Sequence, residues 1–572
     1  MKKFIPILDW LPNYKKKNLS GDLSAGITVG VMLIPQGMAY AMLAGLKPIY
    51  GLYAATVPLI LYAIFGTSRQ LAVGPVAVVS LLIASGVGTL AEIGSDNFLG
   101  LAILLSLMIG VFQLLMGLFK VGFIVNFLSH PVLSGFISAA AIYIAFSQMK
   151  HILGLSIPRG KVHETVHNIY LQFGEINKYT LAVGLGGIAV IIILKKISKK
   201  IPFPLVVVLL GMGVGYLLGL DAAPYGVSIV GAVPDGLPSF AVPTVSYDAI
   251  TSLIPIALTI ALIGFTESIA VAKSIQKKHK NYEIDASQEL VALGIANIGA
   301  SFFQAFPTMG GFARSAVNDQ SGAKTNLAGI ISAAVVILTL LFLTPYFYYL
   351  PNAILASIII VAVFGLIDFK EAKHLWKTDR RDFAMFMITA IATLTLGVEE
   401  GIMVGVGVSI VGLLIRVSYP HIAELGLDEK SRKYLNVERF EHINTEDEVL
   451  IVRFDAQLFF ANTRYFQDKL KKLEEKRENL KAVILDASGI NGMDSTAVHA
   501  IFDLVADYKK HNIRFLMTSV RGPVRDVMRR TKLRSEIGED NFFLSIEDAL
   551  KYLETNTKME YNSLTLQTNE DK

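Results

Sequence analysis

The sequence predicts a polytopic α-helical membrane protein carrying a soluble α/β domain at its C-terminal end. Of its 572 residues, 53% are hydrophobic and only 17% charged, with a mean hydropathy of +0.52, outside the range of ordinary soluble domains. Apolar runs long enough to cross about 30 Å of hydrocarbon recur from Ile27 to Val417, after which the sequence turns charged and ordinary. Alternating strand and helix patterns then follow.

The apolar part divides into segments near 22–45, 50–66, 75–90, 98–118, 122–147, 180–194, 203–219, 249–272, 286–303, 311–320, 326–349, 352–366, 383–398 and 401–418. Several are too short to span alone, since a crossing needs about 20 residues. Two short segments carry the same punctuation: one begins at Gly74-Pro75, the other follows Pro307 and Gly310-Gly311. Both read as half-helices that start in mid-membrane. Leu33–Ala39 also lies over Gly264–Ser268, with Gln36 against Glu267. A duplication whose halves each hold an odd number of crossings predicts a seven-plus-seven inverted repeat.

Charge placement predicts the orientation. Lys15, Lys16, Lys17, Arg69, Lys120, the Lys195–Lys200 run, the Lys277–Lys280 run, Lys373, Lys377, Arg380 and Arg381 fall on one side if segments alternate. The loops around Glu92–Asn97 and Asp221–Tyr247 are poor in Lys and Arg, with Lys150, Arg159 and Lys161 as exceptions. The N-terminal segment 1–20 and the soluble tail are therefore expected in the cytoplasm, with 21–420 embedded in the plasma membrane. Met1–Ser20 has no cleavable-signal pattern. The chain contains no Cys, which excludes disulfides and thiolate chemistry and fits a cytoplasmic tail.

Two ionisable residues stand out within hydrocarbon. Arg314 lies at the second half-helix, and a guanidinium there points to a cavity, a partner or an anion. Two half-helix N-termini directed at one cavity would make an anion site, to which Arg314 adds a fixed charge and a donor fork. Glu267 either exchanges a proton during transport or forms a standing salt bridge with Arg314; spacing leaves both open. Gln36 and Tyr40, four apart, put an amide and a hydroxyl on one wall or simply bond neighbouring helices.

The residues Gly21–Ile27, Ile34–Ala41, Gly51–Tyr53, Gly66–Arg69, Gly74–Ala77, Phe302–Pro307 and Ala313–Asn318 together resemble the SulP sulfate permease and anion exchanger family, which includes prestin and the plant sulfate transporters. The resemblance implies a uracil-permease-like fold of core and gate domains, a C-terminal STAS domain and a homodimer working by an elevator-like shift. It implies a substrate pocket formed by Gln36, Tyr40, Val76, Ala77, Val78, Ala313, Arg314 and Ser315, with Glu267 at the position tied to proton coupling. Tyr40 and the Phe312–Asn318 run look like the plant proteins and lean toward sulfate. Ala313 departs from the pattern by replacing a hydroxyl residue that often precedes the Arg.

In the tail, 421–435 reads as a linker, 436–555 as the soluble domain and 556–572 as disordered. Strands are predicted at Val449–Phe454, Ala482–Asp486 and Ile513–Met517, separated by helices. Leu485–Ile490 followed by Met493–Thr496 is similar to the STAS signature of anti-sigma-factor antagonists, in which Ser495 matches a phosphorylated position. Asp494 and Ser495 equally suit an N-cap. The mixed charges of Glu474–Glu478 read as a solvated helix face. No Gly-rich phosphate loop or metal-ligand cluster is present, so no cofactor, enzyme activity or nucleic-acid partner is expected. The expected partners are an inorganic anion with sulfate favoured, protons, membrane lipid, a second copy and a cytoplasmic partner of the tail. Three function classes follow: proton-coupled sulfate uptake, a sodium-coupled bicarbonate or chloride carrier on the same fold, or an anion-responsive signalling protein.

Overall fold

A computed structural model describes residues 4–122, 129–158, 160–197, 202–279 and 282–555. Arg159, Ser198–Lys200, Lys280 and the tail 556–572, on which sequence expectations rest, lie outside the described residues. The chain divides into two compact units, Met1–Ile410 and Val411–Lys572, described separately here.

The first unit is a seven-plus-seven arrangement. The first half comprises α1 (Leu19–Ala44), α2 (Val57–Phe65, preceded by the short helix Pro48–Tyr53), α3 (Ala77–Gly86), α4 (Asp96–Leu118), α5 (His130–Leu153), α6 (Lys178–Ile197) and α7 (Phe203–Leu218). The second comprises α8 (Tyr247–Gln276), α9 (Ala286–Phe302), α10 (Phe312–Gln320), α11 (Leu327–Phe342), α12 (Asn352–Phe364), then the short α13 (Phe369–Thr378), α14 (Arg380–Thr395) and α15 (Val398–Ser418), whose residues from Val411 on are grouped with the second unit. Among the described residues, eight helical stretches are long and apolar enough to cross a membrane. The half-helices α3 and α10 are each preceded by a two-residue strand, β1 (Val73–Gly74) and β2 (Met309–Gly310), which pair antiparallel as Val73↔Gly310 and Gly74↔Met309.

Helix crossings in this unit rest on missing side chains. A Cβ on Gly110 of α4 would stand 2.6 Å from Ile298 N and 2.8 Å from Gly294 O; one on Gly294 of α9 would stand 2.6 Å from Leu114 N. Backbones in direct contact gain dispersion that lipid cannot supply. Beside this crossing, Ser106 donates to the Asn297 carbonyl at 3.1 Å and Asn297 Nδ2 donates to Gln113 at 3.1 Å.

The second unit is a six-stranded sheet in the order β4-β3-β5-β6-β7-β8. Its strands are β3 (Ile422–Asp428), β4 (Lys433–Asn436), β5 (Val449–Phe454), β6 (Ala482–Asp486), β7 (Arg514–Thr518) and β8 (Phe542–Phe543). β5 to β8 run parallel, while β3 pairs antiparallel with both β4 and β5. Helices α16 (Thr463–Glu474), α17 (Ser495–Lys510) and α18 (Gly522–Arg530) belong to the same unit. Both sheet faces are covered: Val452, Leu485 and Met517 belong to one cluster, Ile451, Ile484 and Leu516 to another. This explains the continuous apolar runs, since strands buried on both faces do not alternate.

Two sequence expectations are corrected here. Residues 421–435 are not a linker: most of them form β3 and β4, and Leu425 pairs with Asn436. Gly426 and the acidic residues hide these strands; β3 takes its register from β5, and β4 from β3. Arg477 does not belong to a solvated face either. Its side chain is 7% exposed and meets Glu424 at 2.5 Å, tying the end of α16 to β3. Asp494, not Ser495, caps α17, accepting from Ala497 N at 2.8 Å, and Ser495 is exposed in the first turn.

Replacing Gly110 or Gly294 by Leu is expected to destabilise the membrane unit by about 1–3 kcal/mol or more through overpacking. Gly213→Leu in α7, where a Cβ meets nothing within 4 Å, is expected to leave it unchanged. Thermal unfolding of the detergent-solubilised protein, followed by size-exclusion chromatography, distinguishes these outcomes.

Candidate functional site

The backbone between α9 and α10 leaves helical geometry in the middle of the unit, and its polar groups find local partners. Thr308 N donates to Asn297 Oδ1 at 2.8 Å, Gly310 N to Ser268 Oγ at 2.9 Å and Gly311 N to the Ala72 carbonyl at 3.0 Å. Ala72 N donates to Ser315 Oγ at 2.9 Å. These bonds set α3 and α10 to start from the two sides of one ribbon. No side chain caps either helix: the N-cap positions are Val76 and Gly311.

A cavity of about 60 Å³ opens against both starts, lined by Gln36, Tyr40, Val76, Ala77, Val78, Glu267, Ala313 and Arg314 together with Gly311, Phe312, Ala362, Val363 and Leu366. Gln36 and Tyr40 come from α1, one turn apart on the same wall, and Glu267 from α8. The cavity holds several waters' worth of space, at about 10–15 Å³ for one.

Arg314 is 3% exposed. Its Nη1 donates to the Pro75 carbonyl at 2.7 Å, while Nε and Nη2 have no hydrogen-bond partner among the described residues. Glu267 Oε2 is likewise enclosed without a partner; the guanidinium and carboxylate line one cavity, and no ion pair joins them among the described residues. The sequence left that pairing open; in this structure the fork is held by a backbone carbonyl from the other half of the molecule. Unpartnered buried donors are costly in the absence of a ligand.

Ser315 is the exception among the pocket residues. Its side chain is fully buried behind the cavity, donating to the Gly311 carbonyl at 2.7 Å and accepting from Ala72 N, so it braces the ribbon instead of lining the pocket. The helical period accounts for it: Ser315, two positions beyond the cavity-lining Ala313, is rotated by about 200° onto the opposite face. Phe312 and the wall of Ala362 and Val363 from α12 with Leu366 just beyond it carry no signal that sequence reading could use, because apolar lining residues look like any other membrane-helix residues.

The fold and site thus define a membrane carrier with two half-helices converging on a charged midplane cavity. Residues 19–389 match the sulfate permease family and 442–549 match the STAS domain. The chain belongs to the sulfate permease family, whose members are transporters, not enzymes. It is 39% identical over 566 residues to the chloroplastic sulfate transporter 4.1 of Arabidopsis thaliana, covering 96% of this chain and 82% of that one. It is 32% identical to high affinity sulfate transporter 2 of Stylosanthes hamata, covering 96% and 86%. Among solved structures, the murine solute carrier 26 family member A9 anion transporter in the inward-facing state superposes with a TM-score of 0.89 at 25% identity, covering 96% of this chain and 94% of that one. The transmembrane domain of the cyanobacterium bicarbonate transporter BicA gives 0.60 at 25%, covering 69% and 99%.

Arg314→Lys is expected to weaken anion binding about tenfold or more, because an ammonium lacks the rigid fork that holds Pro75 O and still presents two donors. Isothermal titration of the purified protein with sulfate checks this.

Proposed function

We propose that the protein is a secondary active transporter that takes up sulfate, or a related oxyanion, together with protons. The observation that carries the reading is the partnerless half of the Arg314 fork, facing a small cavity between two uncapped helix N-termini. Such a cluster of donors suits a compact anion with several acceptor oxygens. Glu267 in the same cavity supplies a group whose protonation offsets the charge of the incoming anion. The named sulfate transporters among the relatives support the substrate.

Gln36 and Tyr40 are assigned to the anion's other flank, with Val76–Val78 and Ala313 shaping it. The N-terminal segment and the STAS domain are placed in the cytoplasm, on the side of the lysine-rich loops, and the transporter in the plasma membrane. The working unit is a homodimer in which core and gate shift past one another.

Proteoliposomes holding the purified protein are expected to accumulate labelled sulfate faster under an inward proton gradient. Glu267→Gln should abolish that acceleration while sulfate still binds, and Arg314→Ala should remove binding itself. Uptake indifferent to the gradient and to Glu267→Gln would overturn the coupling. Strict sodium dependence, or failure of sulfate to compete, would favour a bicarbonate or chloride carrier, the reading to which the bicarbonate transporter's fold lends support.

A further inference from the structure

Helix α13 plays no part in the cavity, yet its composition is unlike that of the helices it joins. It lies between α12 and α14, at the end of the stretch Asn352–Thr378 that is long and apolar enough to cross a membrane. Leu375 is buried, and Glu371 reaches His130 Nδ1 at 3.3 Å, so this side of α13 faces the protein. The other side is exposed in two adjacent strips. At 3.6 residues per turn, Phe369 and Trp376 fall within about 20° of each other, and Lys370, Lys373 and Lys377 within about 60° beside them.

The aromatic strip is open to its surroundings: Phe369 is 75% and Trp376 57% exposed. Trp376 is braced by the Phe383 ring at 4.9 Å, edge to face, and by the Arg380 guanidinium at 5.9 Å from its ring. None of the three lysines forms an ion pair among the described residues. A short helix at the end of an apolar stretch, with aromatics on one exposed strip and lysines on the next, matches an element lying in the bilayer interface. The free positive charge calls for a negative counterpart at the depth of the headgroups.

We infer that α13 binds anionic phospholipid, with Phe369 and Trp376 in the acyl region and Lys370, Lys373 and Lys377 on headgroup phosphates. The arrangement has a link to the cavity, because Ala362, Val363 and Leu366 form one of its walls and Leu366 stands three residues before α13. A lipid held on α13 fixes the position of that wall.

The chain has two tryptophans, so Trp10→Phe leaves Trp376 as a single reporter in the full-length protein. It is placed in nanodiscs of phosphatidylcholine and phosphatidylglycerol, with bromine on the acyl chains of one lipid or the other. Trp376 emission is expected to be quenched several-fold more by brominated phosphatidylglycerol than by brominated phosphatidylcholine at equal mole fraction. Each of Lys370→Gln, Lys373→Gln and Lys377→Gln should reduce that preference by about fivefold, the equivalent of about 1 kcal/mol per cation. Equal quenching by both lipids, or none, overturns the proposal. Absent quenching with protection from aqueous iodide would assign the face to a second copy or another protein. Should Trp10→Phe fail to fold, the difference in emission between the full chain and Trp376→Phe gives the same reading.

Discussion

Every feature of the membrane unit answers to one constraint: a backbone that leaves helical geometry inside hydrocarbon must satisfy its own polar groups. The β1–β2 ribbon meets it with two strands, and Ser268, Asn297 and Ser315 complete it. Those three side chains come from α8, α9 and α10, so the ribbon draws its support from the helices around it. With this scaffold in place, two helix starts can face one cavity without a capping side chain. The N–H groups that a Ser or Asp would ordinarily cap are met by no capping side chain here.

Arg314 shows how the same economy extends to a charge. Tethered through Nη1 to Pro75, it does not depend on Glu267 for its position. The two groups reach one small cavity from different helices, α10 and α8.

Much of this was legible in the sequence, and for definite reasons. Gly74-Pro75 and Pro307 with Gly310-Gly311 interrupt apolar runs in a way few membrane helices tolerate, so the half-helices announced themselves. Arg314 and Glu267 stood out because charge is rare in lipid. β5 and β6 fall where their Val, Ile and Leu runs predict, and β7 lies one residue beyond the predicted Ile513–Met517. The misses share a cause: each depends on a neighbour distant in sequence. Ser315 looked like a ligand until Ala72 claimed its hydroxyl, Arg477 looked solvated until Glu424 met it, and β3 was concealed by its Gly and acids until β5 paired with it.

The ribbon also bears on how the chain is made. Val73 finds its partner in Gly310, which is synthesised about 240 residues later, on the order of tens of seconds at ribosomal speed. Through that interval the first broken segment has no matching strand, and its open amides need shelter from the acyl chains. The insertion machinery, or water admitted beside it, must provide that shelter until the second repeat arrives. The duplication that supplies two opposed helix starts thus makes the first half of the protein dependent on its own unfinished second half.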